Sequence, residues 1–393
     1  MESKDGKPGA IILGGSFHSL GAARNLAQHN VPVCVLDNGP CISRYSRSVK
    51  QFILCPSVDD EEAFVEFLVQ LSVDRNKEGW VLFPSTDEYV RILSQYREQL
   101  SEHFLIAIQS WDIIQHLYDK RFTHRLAEDR GVPIPKTYNP QNINDLTSLG
   151  IDFPVIIKPA ISKKFMAATN KKAFRVRNEE ELINSYRRTA SIINSSEILV
   201  QELIPGGAEN LFSFVGFFKN GNPVAGMSAK RSRQHPMDFG RASTFVESVD
   251  ISELETLAAQ LLGGIGFSGL AEIEFMYDQK DAQFELLEVN PRIWGWLTIV
   301  IQAGLDLPYL AFADAVGKEI APNPISQDVK WVRLITDIPT VFLEILAGKM
   351  TLRQYRSSMS GNLGFAVLSR TDPLPFIADL FLCPYNYFNR RGF

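Results

Sequence analysis

The sequence is thin in the features on which several kinds of chemistry depend. Its four cysteines, Cys34, Cys41, Cys55 and Cys383, show no C-x-x-C spacing and no histidine pair beside them. Neither a zinc site nor a disulfide framework is signalled, and buried free thiols are the expectation. No sign of charge dominates: 40 basic residues face 45 acidic ones, a formal balance of −5, so no global field draws the chain to nucleic acid or anionic lipid. Long apolar runs are missing too, since residues 293–305 fall short of the roughly 18 to 20 residues that span a bilayer. The polar stretch 1–9 meets the apolar run that follows too soon to hold a secretory n-region and h-region. These absences predict a cytoplasmic protein with a disordered lead-in, engaging neither membrane nor nucleic acid. There is no internal repeat or low-complexity tract, and no Ser-His-Asp or Cys-His arrangement stands out.

What is present is a balanced globular composition, 45% hydrophobic and 22% charged over 393 residues. That length suits two or three lobes around a cleft better than one core. From Ala10 the chain alternates short β-rich runs with helical patterns, beginning with Ala10-Ile11-Ile12-Leu13, a helical stretch over 20–29, and Val33-Cys34-Val35-Leu36-Asp37. This βαβ order, continued by strands near Val81 and Leu105, predicts a doubly wound lobe over residues 1–110. The turn Gly14-Gly15-Ser16-Phe17-His18 offers backbone N–H groups at a helix start, a geometry suited to an anion. It departs from G-x-G-x-x-G, although Asp37 stands near where a ribose-binding acid would sit. A dinucleotide, a substrate carboxylate, or glycines that only let strand and helix pack closely all remain open. Prolines 133, 135 and 140 then break the chain, and later strands include hairpins turning at Asn220-Gly221 and at residues 278–281.

The most informative stretch is Gly269-Leu270-Ala271-Glu272-Ile273-Glu274-Phe275-Met276, a turn, then Phe284-Glu285-Leu286-Leu287-Glu288-Val289-Asn290-Pro291-Arg292. Alternate strand residues share a face, so Glu272 and Glu274 point together, as do Glu288 and Asn290. Glu288 lies among apolar neighbours, where an unpaired carboxylate is costly and calls for a cation. A hairpin holding Glu274 opposite Glu288, with Asn290 beside it, makes an all-oxygen site suited to magnesium on phosphate oxygens, and Arg292 is within reach of the same phosphates.

That hairpin resembles the metal-binding core of the ATP-grasp superfamily, and over about residues 1–318 other elements resemble the family in order. The resemblance implies an α/β fold of α+β lobes, with a Rossmann-like pre-ATP-grasp domain at 1–110. A small lobe with its linker helix would occupy 111–195, a large lobe with the metal site 196–318, and an extension 319–393, with nucleotide between the two ATP-grasp lobes. It implies Glu274, Glu288 and Asn290 as ligands of two magnesium ions, with manganese able to substitute. Lys120, after Asp119 at a helix start, and Lys158, in Phe153-Pro154-Val155-Ile156-Ile157-Lys158-Pro159, would meet the phosphates of ATP. Gln201, Glu202, Leu203 and Ile204 resemble the adenine hinge and Glu209 the ribose ligand, while Arg292, Lys230 and Arg233 are the implied catalytic cations. One departure is plain: residues 160–172, where relatives often carry a glycine-rich loop, hold no glycine. They read either as a basic cover for phosphate or as a solvated linker. The apolar, aromatic tail through Phe381 and Tyr387 reads as packing.

The implied activity is an ATP-dependent carboxylate–amine ligase. It would form an acyl phosphate from a small carboxylic or amino acid and pass it to an amine, forming a carbon–nitrogen bond and releasing ADP and phosphate. The partners would be small molecules, with room for a homodimer. A bicarbonate-using carboxylase or carbamoyl-phosphate-type enzyme, and a non-catalytic ATP-binding sensor, are the alternatives.

Overall fold

The alternation at the start of the chain closes into a parallel sheet. In the computed structural model, which describes residues 7–237, 240 and 242–389, the strands β1 (Ala10–Leu13), β2 (Val33–Asp37), β3 (Gln51–Leu54), β4 (Val81–Pro84) and β5 (Leu105–Ile106) take the order β3-β2-β1-β4-β5. The order reverses between β1 and β4, and ligands of open α/β sheets bind at the carboxyl ends flanking such a point. Here those ends carry Gly14 to His18 and Ser85 to Asp87. The lead-in expected over residues 1–9 lies, up to residue 6, outside the described residues.

A second sheet is antiparallel and small: β6 (Thr137–Tyr138), β7 (Val155–Pro159), β8 (Phe174–Val176) and β9 (Ile198–Glu202), ordered β6-β9-β7-β8. Val155 and Ile157 point into its core with Phe165, Leu182 and Val200. The period of two therefore turns Ile156 and Lys158 to the other face. Since β9 pairs with β7, this lobe runs past residue 195 to Glu202.

The large sheet holds β10 (Leu211–Lys219), β11 (Asn222–His235), β12 (Ala242–Val249), β13 (Gly269–Asp278), β14 (Gln283–Asn290), β15 (Val329–Val332) and β16 (Asn362–Phe365), in the order β14-β13-β10-β11-β12-β15-β16. Ala271, Ile273 and Phe275 pack with Leu254, Ala258 and Leu261 of the helix Ser252–Gly263, which leaves Glu272, Glu274 and Met276 for the opposite face. The Asn220-Gly221 turn has positive φ at both residues, 50° and 80°. A Cβ on Gly221 would also stand 2.4 Å from the Cα of Gly263.

Three expectations change here. Residues beyond 318 do not stand apart, because β15 and β16 extend the large sheet and the helix Leu374–Asn389 follows. The glycine-free segment is no loop: Ser162–Thr169 is a helix ended by left-handed Asn170. Phe381, expected to pack, is 79% exposed. No helix among the described residues is long and apolar enough to cross a membrane.

Candidate active site

A cavity of about 710 Å³ lies between the three sheets, lined by Gly15 to His18 of the first, Ile156 and Lys158 of the second, and Arg231, Glu272, Glu274, Glu288 and Asn290 of the third. Glu274 sits directly across from Glu288, and Glu272 across from Asn290. The register then slips, so that Phe275 faces Leu286 and Leu287 is left as the extra residue. That bulge helps turn Leu287 as well as Glu288 into the cavity. The Asn290 amide donates to Glu272 Oε2 at 3.2 Å and to Glu274 Oε1 at 3.0 Å. Two carboxylates and one amide oxygen converge at one wall, a hard-oxygen donor set that fits magnesium. The acidic group Asp278, Asp281 and Glu285 at the hairpin turn does not line the cavity.

Two lysines approach this wall. Asp119 caps the helix Lys120–Asp129 by accepting from the Arg121 N–H at 3.0 Å, which fixes the start of the helix and with it Lys120. Lys120 Nζ lies 3.3 Å from Glu288 Oε2 and 3.4 Å from Ser162 Oγ. Lys158, 7% exposed, ends β7 facing the cavity. Burial, and then Lys120, push its ammonium down to about 7, with Glu288 pulling the other way. Burial would raise the Glu288 carboxyl, but Lys120, Lys172, Arg231 and Lys158 together hold it far below the usual carboxylate range. Cations thus crowd around the Glu288 carboxylate. Lys163, in the first turn of the glycine-free helix, and Lys172, just past its end, line the same cavity, and Lys163 pairs with Asp59 of the first lobe at 2.7 Å.

Farther along, Gln201, Glu202, Leu203 and Ile204 line a slot with Ile156, Met276 and Leu287. The Gln201 side chain is spent inside the protein, its amide donating to Thr137 Oγ1 at 2.7 Å. The Glu202 N–H goes to the Lys136 carbonyl at 2.9 Å and the Leu203 N–H to that of Pro154 at 3.3 Å. Glu209 is exposed and accepts from the Gly207 N–H at 3.0 Å. It is outside the lining, whereas Gly206 and Gly207 are in it.

The expected cations separate. Arg292 is at the cavity wall, its guanidinium donating to Asp87 Oδ1 at 2.5 Å, Asn290 Oδ1 at 3.0 Å and the Ile293 carbonyl at 3.2 Å. Lys230 and Arg233 do not line the cavity. Arg231 pairs with Val246 and Arg233 with Phe245, so Ser232 is an extra residue, and a second shift follows before Gln234. These bulges send Arg231 and Gln234 inward. Arg233 is turned instead to Asp337, which it meets at 2.7 and 3.0 Å, while Lys230 lies 5.5 Å from the centre of the Phe212 ring. Arg231, which sequence reasoning passed over, pairs with Glu274 and, at 3.3 Å, with Glu272. Glu272 also accepts from Trp296 Nε1 at 2.8 Å. Burial, and then Glu274, push Glu272 up to about 7 against the pull of Arg231. Arg233→Ala should therefore cost about 3–5 kcal/mol of stability, the penalty of stranding a buried carboxylate. Activity per folded molecule should persist; denaturant melts beside turnover of the folded fraction check this.

The turn after β1 is also clarified. Asp37 accepts from the Gly15 N–H at 2.7 Å and the Gly39 N–H at 3.1 Å, so its carboxylate fastens the turn. A Cβ on Gly15 would stand 2.1 Å from Cys41 Sγ. Close packing, not a ribose, accounts for both residues.

Residues 217–337 match the family model described as ATP-grasp in the biosynthetic pathway with Ter operon. A D-aspartate ligase of Enterococcus faecium (strain Aus0004) is 25% identical over 322 residues, 78% of this chain and 76% of that protein. The chain thus carries an ATP-grasp match over its large sheet and is similar over most of its length to a ligase. Its fold is also that of the biotin carboxylase domain of 2-oxoglutarate carboxylase from Hydrogenobacter thermophilus, described in complex with MgADP and bicarbonate (TM-score 0.65, 16% identity, 82% of this chain and 73% of that one). The L-amino acid ligase from Bacillus licheniformis is similar as well (TM-score 0.60, 16% identity, 82% and 76%). The cavity lies at the junction of the three sheets, with Glu274, Glu288 and Asn290 on one wall.

Proposed function

We propose that this protein is an ATP-dependent carboxylate–amine ligase working through an acyl phosphate. The observation that carries the reading is the pairing of Glu274 with Glu288 beside Asn290, in a cavity that Lys120 and Lys158 enter from one side and Arg292 from the other. With two hinge N–H groups spent, the base would pair with the Glu202 carbonyl and the Ile204 N–H, between Ile156, Leu203, Met276 and Leu287. Gly206 and Gly207, rather than Glu209, would then lie near the ribose. Lys120 and Lys158 would hold the phosphates. Magnesium held by Glu274, Glu288 and Asn290 would supply positive charge to the phosphate oxygens.

A carboxylate oxygen then attacks the γ-phosphorus, the bond to the β–γ bridging oxygen breaks, and its electron pair leaves on ADP. Arg292, fixed by Asp87 and Asn290, steers the carboxylate and offsets charge on the transferring group. An amine attacks the acyl carbon, loses a proton, and phosphate departs. Lys230 and Arg233 have no part in this scheme, and Arg231 takes the place given to them by neutralising Glu272 and Glu274. The test is a screen of small carboxylic and amino acids with MgATP, alone and with amines, reading ADP and phosphate release. Hydroxylamine should trap the acyl phosphate as a hydroxamate. Release of AMP and pyrophosphate would replace this mechanism by adenylation, and ATP binding without acid-stimulated hydrolysis would favour a sensor.

A further inference from the structure

Beyond residue 330 two helices are built inside out. The helix Leu334–Leu346 buries Thr336, Asp337 and Thr340, and Asp337 accepts from the Arg233 guanidinium at 2.7 and 3.0 Å and from Thr244 Oγ1 at 2.9 Å. Its exposed residues are Ile338, Phe342, Leu343 and Leu346. The helix Leu374–Asn389 repeats the inversion. Asp379 is buried and meets Arg333 at 3.7 Å, both lining the cavity, while Leu374, Ile377, Leu380 and Phe381 are exposed. A helix on a soluble surface shows the opposite pattern, apolar inward and polar outward.

The two outward faces are neighbours. The helices touch, and Leu334 and Ile335 of the first share a small cleft with Phe376 and Asp379 of the second. The eight outward side chains are each 46–79% exposed, together more apolar surface than the few hundred Å² that soluble monomers commonly leave bare. Large exposed apolar residues are sparse before this region: among the described residues, eight fall in 7–330 and eleven in 331–385.

Charge selects the occupant. The chain as a whole has a formal balance of −5, yet around this face the sign reverses. Lys349, Arg353 and Arg356 follow the first helix and Arg370 precedes the second, all four exposed. Of the four acids after residue 330, Asp337, Asp372 and Asp379 are buried against arginines, and Glu344 alone is partly exposed. A second copy matches this face poorly, because a twofold contact brings the same patch to both sides and sets cations against cations. An anionic lipid surface suits both halves of it, with apolar side chains entering the acyl boundary and cations meeting headgroups.

We propose that this face docks the protein peripherally on an anionic bilayer, the helices Leu334–Leu346 and Leu374–Asn389 lying in the interface. The whole-chain charge that argued against lipid contact averages this local reversal away. The acidic surplus is carried by the rest of the chain, so the field that draws this face to the lipid turns the remainder toward water. The inference stands independently of the ligase reading.

Sedimentation of the full chain with extruded vesicles tests it. Binding should be about tenfold or more stronger to phosphatidylcholine–phosphatidylglycerol at about 3:1 than to phosphatidylcholine alone, and should weaken as sodium chloride rises from about 0.1 to about 0.5 M. Phe381→Ser, at a side chain 79% exposed, should keep the fold and lower the partition coefficient by about tenfold or more. Replacing Arg353 and Arg356 together by Ala should lower it by about tenfold on the mixed vesicles and leave it unchanged on the neutral ones. Circular dichroism checks that folded proteins are compared, and Leu346→Ser on the other helix serves should Phe381→Ser not fold. Equal partitioning of wild type and the serine variants, or no preference for the anionic vesicles, would overturn the proposal. So would a lipid-free dimer in analytical ultracentrifugation that Phe381→Ser dissociates, since the face would then belong to a second copy.

Discussion

Replacing Glu288 by Gln should lower ATP turnover by a factor on the order of 10³ and leave metal-free nucleotide binding equal or tighter. The two effects diverge because Glu288 does opposite things to the two ligands. It faces Glu274 across the hairpin and supplies the anionic oxygen that a divalent cation requires. It also neutralises Lys120 at 3.3 Å and draws on the charge of Lys158. Removing its charge frees both lysines for phosphate while depriving magnesium of a ligand. The fold should survive, since Gln keeps the volume and the hairpin is anchored from its other face by Ile273, Phe275, Leu286 and Val289. Calorimetric titration of ATP with and without chelator, beside ADP release, checks both halves. Turnover within about tenfold of wild type would remove Glu288 from the metal site.

That Glu274, Glu288 and Asn290 share one wall of the cavity could be read from the sequence because one short hairpin joins them, and strand alternation decides which side chains share a face. That Lys120 and Lys158 reach the same cavity was legible for a similar reason, each standing near the end of an element whose bounds are marked by Asp119 and Pro159. The limits of that reasoning appear at β11. A period of two from Lys230 selects the wrong face, and the bulge at Ser232 then parts Arg231 from Arg233; a bulge leaves no signature in a single sequence. Glu209 was misplaced because its hydrogen bond to Gly207 depends on the turn of a short helix, not on order along the chain. Arg333 and Asp379 were out of reach for another reason. They meet the cavity only because β15 joins β12 and the last helix packs back on the first lobe, contacts between segments far apart in sequence. His18 was quoted within its turn, but that it faces Arg292 and Arg333 follows from the packing of three sheets.

Lys158→Ala should weaken ATP binding by about 10- to 100-fold, the roughly 1.5–3 kcal/mol of a hydrogen bond to a charged group, without a matching loss of stability. In the free protein the Lys158 ammonium is a burden: burial, and then Lys120, push it from 10.5 down to about 7. Between those two values the folded chain holds one proton fewer at this side chain than the unfolded chain does, so this contribution to stability rises with pH across the window. Below about 7 the lysine is charged in both states and the penalty of burying its ammonium is felt in full. A polyphosphate reverses the balance by supplying the missing negative charge. Binding ATP near pH 8 should therefore draw a proton onto Lys158, an uptake measurable by calorimetry in buffers of different ionisation enthalpy. Lys158→Ala should abolish that uptake together with the affinity, while its melting temperature at pH 7 stays at or above that of the wild type. Equal ATP affinity in the two proteins would mean that the phosphates lie elsewhere in the cavity.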